Sequence, residues 1–358
     1  KDPNWESPTD PRLDQEKNPF KKLDEYHSNQ LPEQIKNAVA GKQRGLIICG
    51  PDAPISRSEL IALASHTGFP VVADAASNLR HTDIPQLICS ADLLLNGALA
   101  QENADILIRI GAAPINRPVY EYCARQSCPV IRIDNQAIRK DFLHDQFLML
   151  QSPSRNCLED LAQACASVDK QWQQQWMNGD QNAAEQVQHF LNDCDWGECT
   201  AAATVCQSTL FSVLQCANSM AVRHANVFCS ASDKHFITHR GVNGIDGSIG
   251  SFIGANLANK NTSLLLCGDI AFLHDLPALS AAKYITHPAC IIIMNNHGGR
   301  IFDLLPAAAC NGFESLMSTE QDADYQAIAT GFKIPFSSCA DTKSLDQALD
   351  KHVLLKQL

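Results

Sequence analysis

The chain has 358 residues, more than one typical domain, and 45% of them are hydrophobic while 19% are charged. This composition is typical of a globular protein with a sizeable core. The formal net charge of −11 argues against nucleic acid or an anionic membrane as a main partner, although a local arginine cluster could still bind an anionic substrate. No apolar run reaches roughly 18 residues, so the sequence predicts no stable membrane insertion.

Fifteen cysteines are scattered along the chain, and none of them forms a CxxC pair. Their odd number and lack of framework spacing are typical of buried thiols in a reducing compartment, so we expect a cytoplasmic protein. The chain begins at Lys1 without a signal-peptide pattern or an initiator Met, which indicates a piece of a longer protein.

Residues 1–30 are rich in Pro, Asp, Lys and Asn and are predicted to form a linker. Apolar and amphipathic segments then alternate over residues 31–165, which predicts a first domain with a parallel α/β sheet. Its predicted helices are 32–40 and 58–67. Its predicted strands are 45–50, 70–73, 104–110 and 129–133. The turn GLIICGPDAP after the first strand has neither GxGxxG nor a Walker lysine, so we interpret it as a structural turn.

A Gln-rich helical connector is predicted over residues 166–196. Trp172 and Trp176 are spaced i, i+4 and give it one apolar stripe, which favours a helix that packs against a domain over a partner-binding helix.

The second domain is predicted over residues 197–358. Its expected elements outside the central motif are helices at 204–214, 248–258, 324–330 and 344–354, and strands at 226–229 and 332–335.

Residues 264–306 form the motif around which this domain is organised. A strand at 264–267, a helix at 278–284 and an Ile-rich strand at 289–294, expected to be buried on both faces, make a βαβ unit. Ligands bind at the carboxyl ends of such strands, where this chain has Asp269 and then Asn295, Asn296, Gly298 and Gly299.

The residue types at these strand ends suit a metal-bridged diphosphate. Carboxylate, amide and backbone oxygens are hard donors for Mg²⁺, and glycines let the backbone approach a phosphate. The helix after Asp269 is expected to offer free N–H groups to an anion. Two ordinary turns are the alternative interpretation.

The Gly268-Asp269 turn followed by Asn295-Asn296 resembles the diphosphate-binding motif of thiamine-diphosphate (ThDP) enzymes. Within them, four blocks resemble the MenD family, the 2-succinyl-5-enolpyruvyl-6-hydroxy-3-cyclohexene-1-carboxylate synthases. These blocks, which occur in the family's order over about half of the chain, are 218–223 (NSMAVR), 239–255 (HRGVNGIDGSIGSFIGA), 272–275 (FLHD) and 296–306 (NHGGRIFDLLP).

The resemblance implies an α/β fold with two Rossmann-like three-layer domains whose sheets are mainly parallel. They would be the middle, transhydrogenase dIII-like domain and the ThDP diphosphate-binding domain. It further implies that the N-terminal pyrimidine-binding domain, which provides the activating glutamate from a second subunit of a homo-oligomer, is absent. We therefore expect no catalytic residue in this chain and no turnover by it alone.

The implied activity is that of a transferase with ThDP and Mg²⁺ (or Mn²⁺) as cofactors. It would decarboxylate 2-oxoglutarate and add the succinyl carbanion to isochorismate, in menaquinone or phylloquinone biosynthesis. A 2-oxoacid decarboxylase or acetohydroxyacid synthase-like enzyme acting on pyruvate is one alternative. A ThDP-fold module without catalytic activity is the other.

The resemblance also assigns residues. The metal ligands would be Asp269, Asn296 and the Gly298 carbonyl. Cofactor contacts would come from Ile245, Gly268, Asp269, Ile270, Ala271, Asn296, Gly298 and Gly299. Substrate contacts would come from Arg117, Ser219, Arg223, Arg240, Ile301, Phe302 and Leu305.

Each assignment has a plain structural alternative. Arg223 and Arg240 could each pair with a local Asp, Arg117 could be a surface arginine, and the apolar residues could be core. Two positions also depart from the family pattern. Ala271 replaces a small hydroxyl residue, which would remove a phosphate hydrogen bond, and His297 replaces a third Asn.

Overall fold

The structure, a computed structural model, describes residues 30–97, 99–135, 143 and 147–354, so the predicted linker lies outside the described residues except for residue 30. The strands of this part of the chain are β1 Gly45–Cys49, β2 Val71–Ala73, β3 Leu87–Ile88, β4 Ile106–Ile110, β5 Val130–Asp134, β6 Leu148–Gln151, β7 Val213–Cys216, β8 His235–Thr238, β9 Ser263–Gly268 and β10 Ala289–Met294.

The α-helices of the same residues are α1 Glu33–Val39, α2 Arg57–Thr67, α3 Ala91–Leu95, α4 Arg117–Arg125, α5 Arg155–Ala164, α6 Lys170–Asp193, α7 Glu198–Gln207, α8 Met220–Phe228, α9 Ser248–Asn259, α10 Asp269–His274, α11 Phe313–Met317, α12 Tyr325–Gly331 and α13 Thr342–Leu354. Short 3₁₀ helices are Ala75–Ser77, Leu276–Tyr284, Arg300–Leu304 and Pro306–Ala309. None of the described helices combines the length and apolar composition needed to cross a membrane.

The first sheet has the parallel order β3-β2-β1-β4-β5-β6. This is the 3-2-1-4-5-6 order of doubly wound folds, in which the order of strands reverses between β1 and β4. Every residue of β1, β4 and β5 is buried, as expected for parallel strands covered by helices on both faces. The predicted α/β class with mainly parallel sheets is therefore confirmed for this half.

The second sheet is also parallel, with the order β10-β9-β7-β8. The chain steps from β7 to β8 on one side and returns to β9 on the other, so the reversal point lies between β7 and β9. Met294 of β10 is paired with Gly268 of β9, which brings the carboxyl ends of both strands to one edge. The fold class is thus confirmed for both halves.

Helix α6 packs on the first core through its two tryptophans. Trp172 and Trp176 are fully buried with their rings 5.7 Å apart, and the Trp172 indole N–H donates to the Gly45 carbonyl at 2.9 Å. The Gln-rich face points outward. The composition of this segment therefore describes a solvated helix face rather than low complexity.

Polar side chains join the two sheets. Asn78 donates to the Phe236 carbonyl at 3.0 Å and accepts from the Phe236 N–H at 2.7 Å, so it pairs with the backbone of edge strand β8. Arg80, which is buried, donates to the carbonyls of Asn226 and Cys229, both at 2.8 Å. The first domain therefore covers the β8 edge of the second sheet.

Two predicted elements of the second domain were wrong. The helix predicted at 204–214 instead begins at Glu198, where the Gly197 N–H donates to the Thr200 hydroxyl at 2.9 Å, and 213–216 is strand β7. The strand predicted at 226–229 lies within α8 except for its last residue. Its Asn226 has a tertiary role, since its side chain bonds the Ala75 N–H at 2.8 Å, and no local pattern reveals that contact.

Two further predictions need correction. Strand β10 has the predicted bounds but is the outermost strand, and only its last residue, Met294, is buried. No strand is assigned among the described residues 332–335, because Lys333 has φ +57°, which interrupts extended backbone. The segment predicted as a helix at 278–284 is helical but forms the tighter 3₁₀ type.

Candidate diphosphate and anion site

The candidate site lies at the reversal point of the second sheet, where the loops after β7, β9 and β10 meet. Open parallel sheets bind ligands at this place because neighbouring loops diverge and leave a crevice. The loop after β7 carries Asn218 and Ser219, and β9 ends at Gly268, directly before Asp269. The loop after β10 contains residues 295–299.

Asp269 ties two of these loops together. It is 2% exposed, and its Oδ2 accepts from the Gly298 N–H at 2.7 Å while its Oδ1 accepts from the Ile270 N–H at 2.8 Å. The short helix that it opens, α10, thus has its second N–H already bonded. The expectation of entirely free N–H groups there is wrong for Ile270.

Gly298 has a backbone conformation that requires glycine. Its φ is +146°, and a Cβ at this position would lie 2.3 Å from the Ser318 carbonyl oxygen. The neighbouring Gly299 N–H donates to the same oxygen at 2.6 Å. Segment 318–321 therefore packs directly on the loop after β10.

Asn296 has one satisfied and one unsatisfied end. Its Nδ2 donates to the Glu198 carboxylate, while its Oδ1 is buried without a hydrogen-bond partner among the described residues. A buried carbonyl oxygen without a partner is costly, and a cation is one group that would satisfy it.

The oxygen donors of this crevice fit a divalent cation. Among the described residues no group of three His, Cys, Asp or Glu side chains has metal-binding geometry. The set consists instead of the Asp269 carboxylate, the Asn296 amide oxygen and the Gly298 carbonyl, which also accepts from the Arg300 N–H at 3.0 Å. Such hard neutral and anionic oxygens suit Mg²⁺ bound to a phosphate.

Gln321 is a contact that the sequence did not reveal. Its Nε2 donates to Asp269 Oδ2 at 2.8 Å and to Asn295 Oδ1 at 2.9 Å, bridging the loops after β9 and β10. Nothing in the local pattern around residue 321 indicates this role, because the contact depends on the fold of segment 318–324.

Arg223 and Arg240 form a positive cluster beside these loops. Arg223 donates to the Ser219 carbonyl at 2.7 Å and Arg240 donates to Asn218 Oδ1 at 2.9 Å. Neither forms an ion pair with a carboxylate of the described residues. Burial lowers the pKa of Arg223, and burial followed by repulsion from Arg223 lowers the pKa of Arg240, while Asp74 raises it. A bound anion would compensate for the lost hydration of both guanidinium groups and for the repulsion between them.

Asn218 and Asp275 hold the glycine-rich segment 239–250 in place. The Asn218 amide donates to the carbonyls of His239 at 2.8 Å and Gly244 at 2.6 Å. Asp275 Oδ2 accepts from the first-turn N–H groups of α9, those of Ile249 at 2.7 Å and Gly250 at 2.9 Å. The FLHD block therefore contains a helix cap.

Two family models match the chain. One, described as the middle domain of thiamine pyrophosphate, covers residues 4–211, and the other, the C-terminal TPP binding domain of thiamine pyrophosphate enzymes, covers residues 216–357. The chain belongs to the thiamine pyrophosphate enzymes.

Curated relatives narrow the resemblance. A 2-succinyl-5-enolpyruvyl-6-hydroxy-3-cyclohexene-1-carboxylate synthase of Oceanobacillus iheyensis is 31% identical over 339 residues, which are 90% of this chain and 57% of that protein. Synthases of the same name are 31% identical in Geobacillus kaustophilus, over 82% of this chain and 54% of that protein, and 25% identical in Haloarcula marismortui, over 92% and 57%. The resemblance to the MenD synthases is confirmed, and the chain spans a little over half of their length.

The remaining positions implied by this family differ in their burial. Ala271 is buried, and Ile245 is half-buried against the second core. Ile301 and Phe302 are half-buried in the 3₁₀ helix Arg300–Leu304, and Leu305 follows it with 42% exposure, so the plain-core interpretation does not apply to these three.

Arg117 and His297 lie at the surface. The Arg117 side chain is 74% exposed at the start of α4 and pairs with Glu121 at 2.6 Å, as in its surface-arginine interpretation. His297 is exposed with φ +61°, and its N–H donates to Asn295 Oδ1 at 3.2 Å. Its imidazole therefore faces solvent.

Proposed function

We propose that this chain carries the diphosphate-binding and substrate-binding parts of a ThDP-dependent synthase that decarboxylates 2-oxoglutarate and joins the succinyl unit to isochorismate. The observation that carries the proposal is the cluster of Arg223 and Arg240, half-buried and without an ion pair to a described carboxylate, beside the loops that hold Asp269. The name shared by the relatives supports it. Because the chain spans about half of those relatives, the activity belongs to the proposal.

The metal, Mg²⁺ or Mn²⁺, would be held by Asp269, the Asn296 amide oxygen and the Gly298 carbonyl. Gly268, Ile270, Ala271 and Gly299 would surround the diphosphate, and Ile245 would support the cofactor from the side. When bound, ThDP would supply the carbanion chemistry of the reaction. The pyrimidine-binding domain of a second subunit, with its activating glutamate, would complete the site.

The substrate residues provide charge and exclude water. Both 2-oxoglutarate and isochorismate carry two carboxylates, and an arginine can bind a carboxylate through two parallel hydrogen bonds. Arg223 and Arg240 would bind these groups together with the Ser219 hydroxyl, and Arg117 would do so after leaving Glu121. Ile301, Phe302 and Leu305 would form the apolar wall beside the reacting carbon.

Ser219 supports this assignment through its backbone. It has φ +67°, which a non-glycine residue adopts only where the surrounding structure holds it. Its carbonyl accepts from Arg223, so the strained residue and the arginine are positioned together at the start of α8.

The pyruvate-specific alternative accounts less well for the arginines. Pyruvate has one carboxylate and would leave one of two half-buried guanidinium groups without an anion. The module without activity predicts no metal-dependent ThDP binding, although the Asn296 oxygen would then remain without a partner. Menaquinone and phylloquinone synthesis share this step, so the proposal covers both.

The test follows CO2 release from 2-oxoglutarate by the full-length protein with ThDP and Mg²⁺, with and without isochorismate. We expect release to rise strongly with isochorismate and both substrates to be consumed. Removing one charged partner costs about 2–5 kcal/mol, so Arg223→Gln and Arg240→Gln should each lower kcat/KM by roughly 30-fold or more.

Arg155→Gln is the matched control, since Arg155 is exposed and pairs with Glu159 far from the crevice in sequence. Indifference to isochorismate, or a preference for pyruvate, would reject these substrates but not the enzyme family. The expectation that residues 1–358 alone have no turnover stays a prediction, which product formation by that chain would contradict.

A further inference from the structure

Glu198 is the only group to which the Asn296 side chain is hydrogen-bonded within the described part of the chain. Its Oε1 accepts from Asn296 Nδ2, although the two residues are 98 positions apart. Glu198 lies outside the four sequence blocks 218–223, 239–255, 272–275 and 296–306. It is the first residue of α7, at the start of the second domain, and the loop after β10 follows much later in the chain.

The chemistry of this contact fixes which way the amide faces. A carboxylate has acceptors only, so the NH2 end of Asn296 must face Glu198. The carbonyl end then points away from the carboxylate, and it is the end that is buried without a partner. With an apolar side chain at position 198 this selection between the two amide orientations would be lost, and a side chain with donors only would reverse it.

Glu198 is itself held in place. Its Oε2 lies 3.9 Å from His224 Nε2, and its side chain is 31% exposed. The start of α7 is fixed by Thr200, whose hydroxyl accepts from the Gly197 N–H and donates to the Gly197 carbonyl, both at 2.9 Å. His224 follows Arg223 on α8, so Glu198 links the loop after β10 to the helix of the arginine cluster.

We propose that Glu198 is a positioning residue that orients the Asn296 amide so that its oxygen is presented to the divalent cation. This inference rests on the proposed function, since it takes the cation site of Asp269, Asn296 and Gly298 as given. Glu198 would act through Asn296, which its Oε1 contacts, and not as a ligand of the cation. It disfavours the competing orientation of the Asn296 amide in the absence of the cation. Cation binding therefore costs less free energy for ordering this side chain.

The test measures Mn²⁺ affinity by electron paramagnetic resonance on the full-length protein with saturating ThDP. Loss of a partner behind a metal ligand typically lowers metal affinity by about 10–100-fold, which is the decrease expected for Glu198→Ala. Glu198→Gln has the same size and can present either an acceptor or a donor to Asn296. Its loss of affinity should lie between those of Glu198→Ala and wild type.

Glu33→Gln is the matched control, because Glu33 is also the first residue of a helix and its variant removes the same charge from the same position of α1. It should bind Mn²⁺ as wild type does. Kinetics give a second readout, since a positioning role raises the Mg²⁺ concentration needed for half-maximal rate while kcat at saturating Mg²⁺ stays close to wild type.

The variant Asp269→Asn distinguishes a failure of the cation site from a failure of the role proposed for Glu198. If Asp269→Asn weakens Mn²⁺ binding but both Glu198 variants bind as Glu33→Gln does, the inference on Glu198 is overturned and the cation site stands. If Asp269→Asn also binds Mn²⁺ with unchanged affinity, the cation site itself is wrong, and both proposals fall. Should Glu198→Ala not fold, the isosteric Glu198→Gln decides the matter.

Discussion

The order of strands reverses once in each of the two sheets, and the two crevices at those points are built in different ways. In the first sheet the loops after β1 and β4 bond to each other, with the Ala112 N–H donating to the Pro51 carbonyl at 2.8 Å. A Cβ on Gly50 would lie 2.1 Å from the Ala112 carbonyl oxygen, so backbone fills the place where a ligand would sit. In the second sheet the loops hold a buried amide oxygen without a partner and two arginines without ion pairs to described carboxylates.

This difference shows that the order of strands alone does not make a binding site. Both crevices satisfy the same topological rule for ligands in open parallel sheets. In the first, the backbone of the two loops closes the crevice and makes it a structural joint, whereas in the second the loops leave the Asn296 amide oxygen without a partner among the described residues.

The largest effects are expected from adding one methyl group to each crevice. Gly50→Ala should lower the free energy of unfolding by about 1–3 kcal/mol, because the new Cβ collides with backbone in the joint. Urea denaturation measures this. Gly97→Ala is the control, since the nearest atom to its Cβ would be 3.5 Å away, an ordinary contact. Equal stability of both variants would show that the joint is not packed as described.

Gly298→Ala should act on binding instead. Its Cβ would collide with the Ser318 carbonyl, and φ +146° is unfavourable for alanine, so the loop that carries Asn296 must move. We expect metal-dependent ThDP affinity to fall by roughly 10-fold or more, because the ligands of a site must be held in place. Calorimetric titration with ThDP and Mg²⁺ checks this, and unchanged affinity would remove the second crevice as the site.

The joint contains a titratable group that should make stability depend on pH. Asp74 is buried and accepts from the Ile115 N–H at 2.8 Å, and burial first, then Asp92, raise the pKa of Asp74 to about 7, while Ile115, Arg80 and Asn226 oppose the shift. The native state thus binds a proton that the unfolded chain has released above pH ~4. Stability from this group is present below that pH and lost as the pH rises through about 7.

Asp74→Asn should therefore flatten the dependence of unfolding free energy on pH between about 4 and 7, where one such group contributes a slope of up to about 1.4 kcal/mol per pH unit. Asp92, whose pKa is also raised by burial, keeps part of the slope. Urea denaturation at several pH values measures it, and parallel curves for variant and wild type would contradict the assignment.

Arg117 should give the smallest effect. Its guanidinium is exposed and already paired with Glu121, and exposed pairs contribute about 0–1 kcal/mol. Arg117→Ala should raise the substrate KM by less than about fivefold, well below the effect expected for Arg223 or Arg240. Glu121→Gln frees Arg117 and should, if anything, lower KM. If Arg117→Ala impaired the enzyme as much as Arg240→Gln does, Arg117 would contribute to substrate binding as strongly as Arg240.

The sequence identified those parts of the fold that depend on local pattern. Apolar runs placed β1 and β9, and the turn residues after β9 and β10 indicated the edge at which Asp269 and Asn296 lie. What it missed depends on contacts between distant segments. The β10 run was as apolar as a central strand, and only the sheet order shows that it is the outermost one.

The same reason explains the residues that the sequence did not single out. Glu198 and Gln321 lie in segments without a recognisable motif, and each reaches the crevice only after the second domain has folded. Asn226 and Asp74 are a further case, since both are buried and the Asn226 amide donates to the Asp74 carboxylate between the two domains. A hydrogen bond between two polar residues that are far apart in the sequence leaves no pattern in the local spacing of residues.

The pairing of Asn78 with strand β8 has a consequence for how the protein is made. An uncovered strand edge presents free N–H and C=O groups on which another chain can add and aggregate. One asparagine amide, with one donor and one acceptor set against Phe236, closes part of this edge. Since synthesis proceeds from the N-terminus and domains generally fold as units, the cover is produced more than 150 residues before the strand it protects, as the 158-residue separation of the pair requires. We therefore expect the first domain to be folded when the second domain is synthesised, so that Asn78 can pair with β8 as soon as this strand forms.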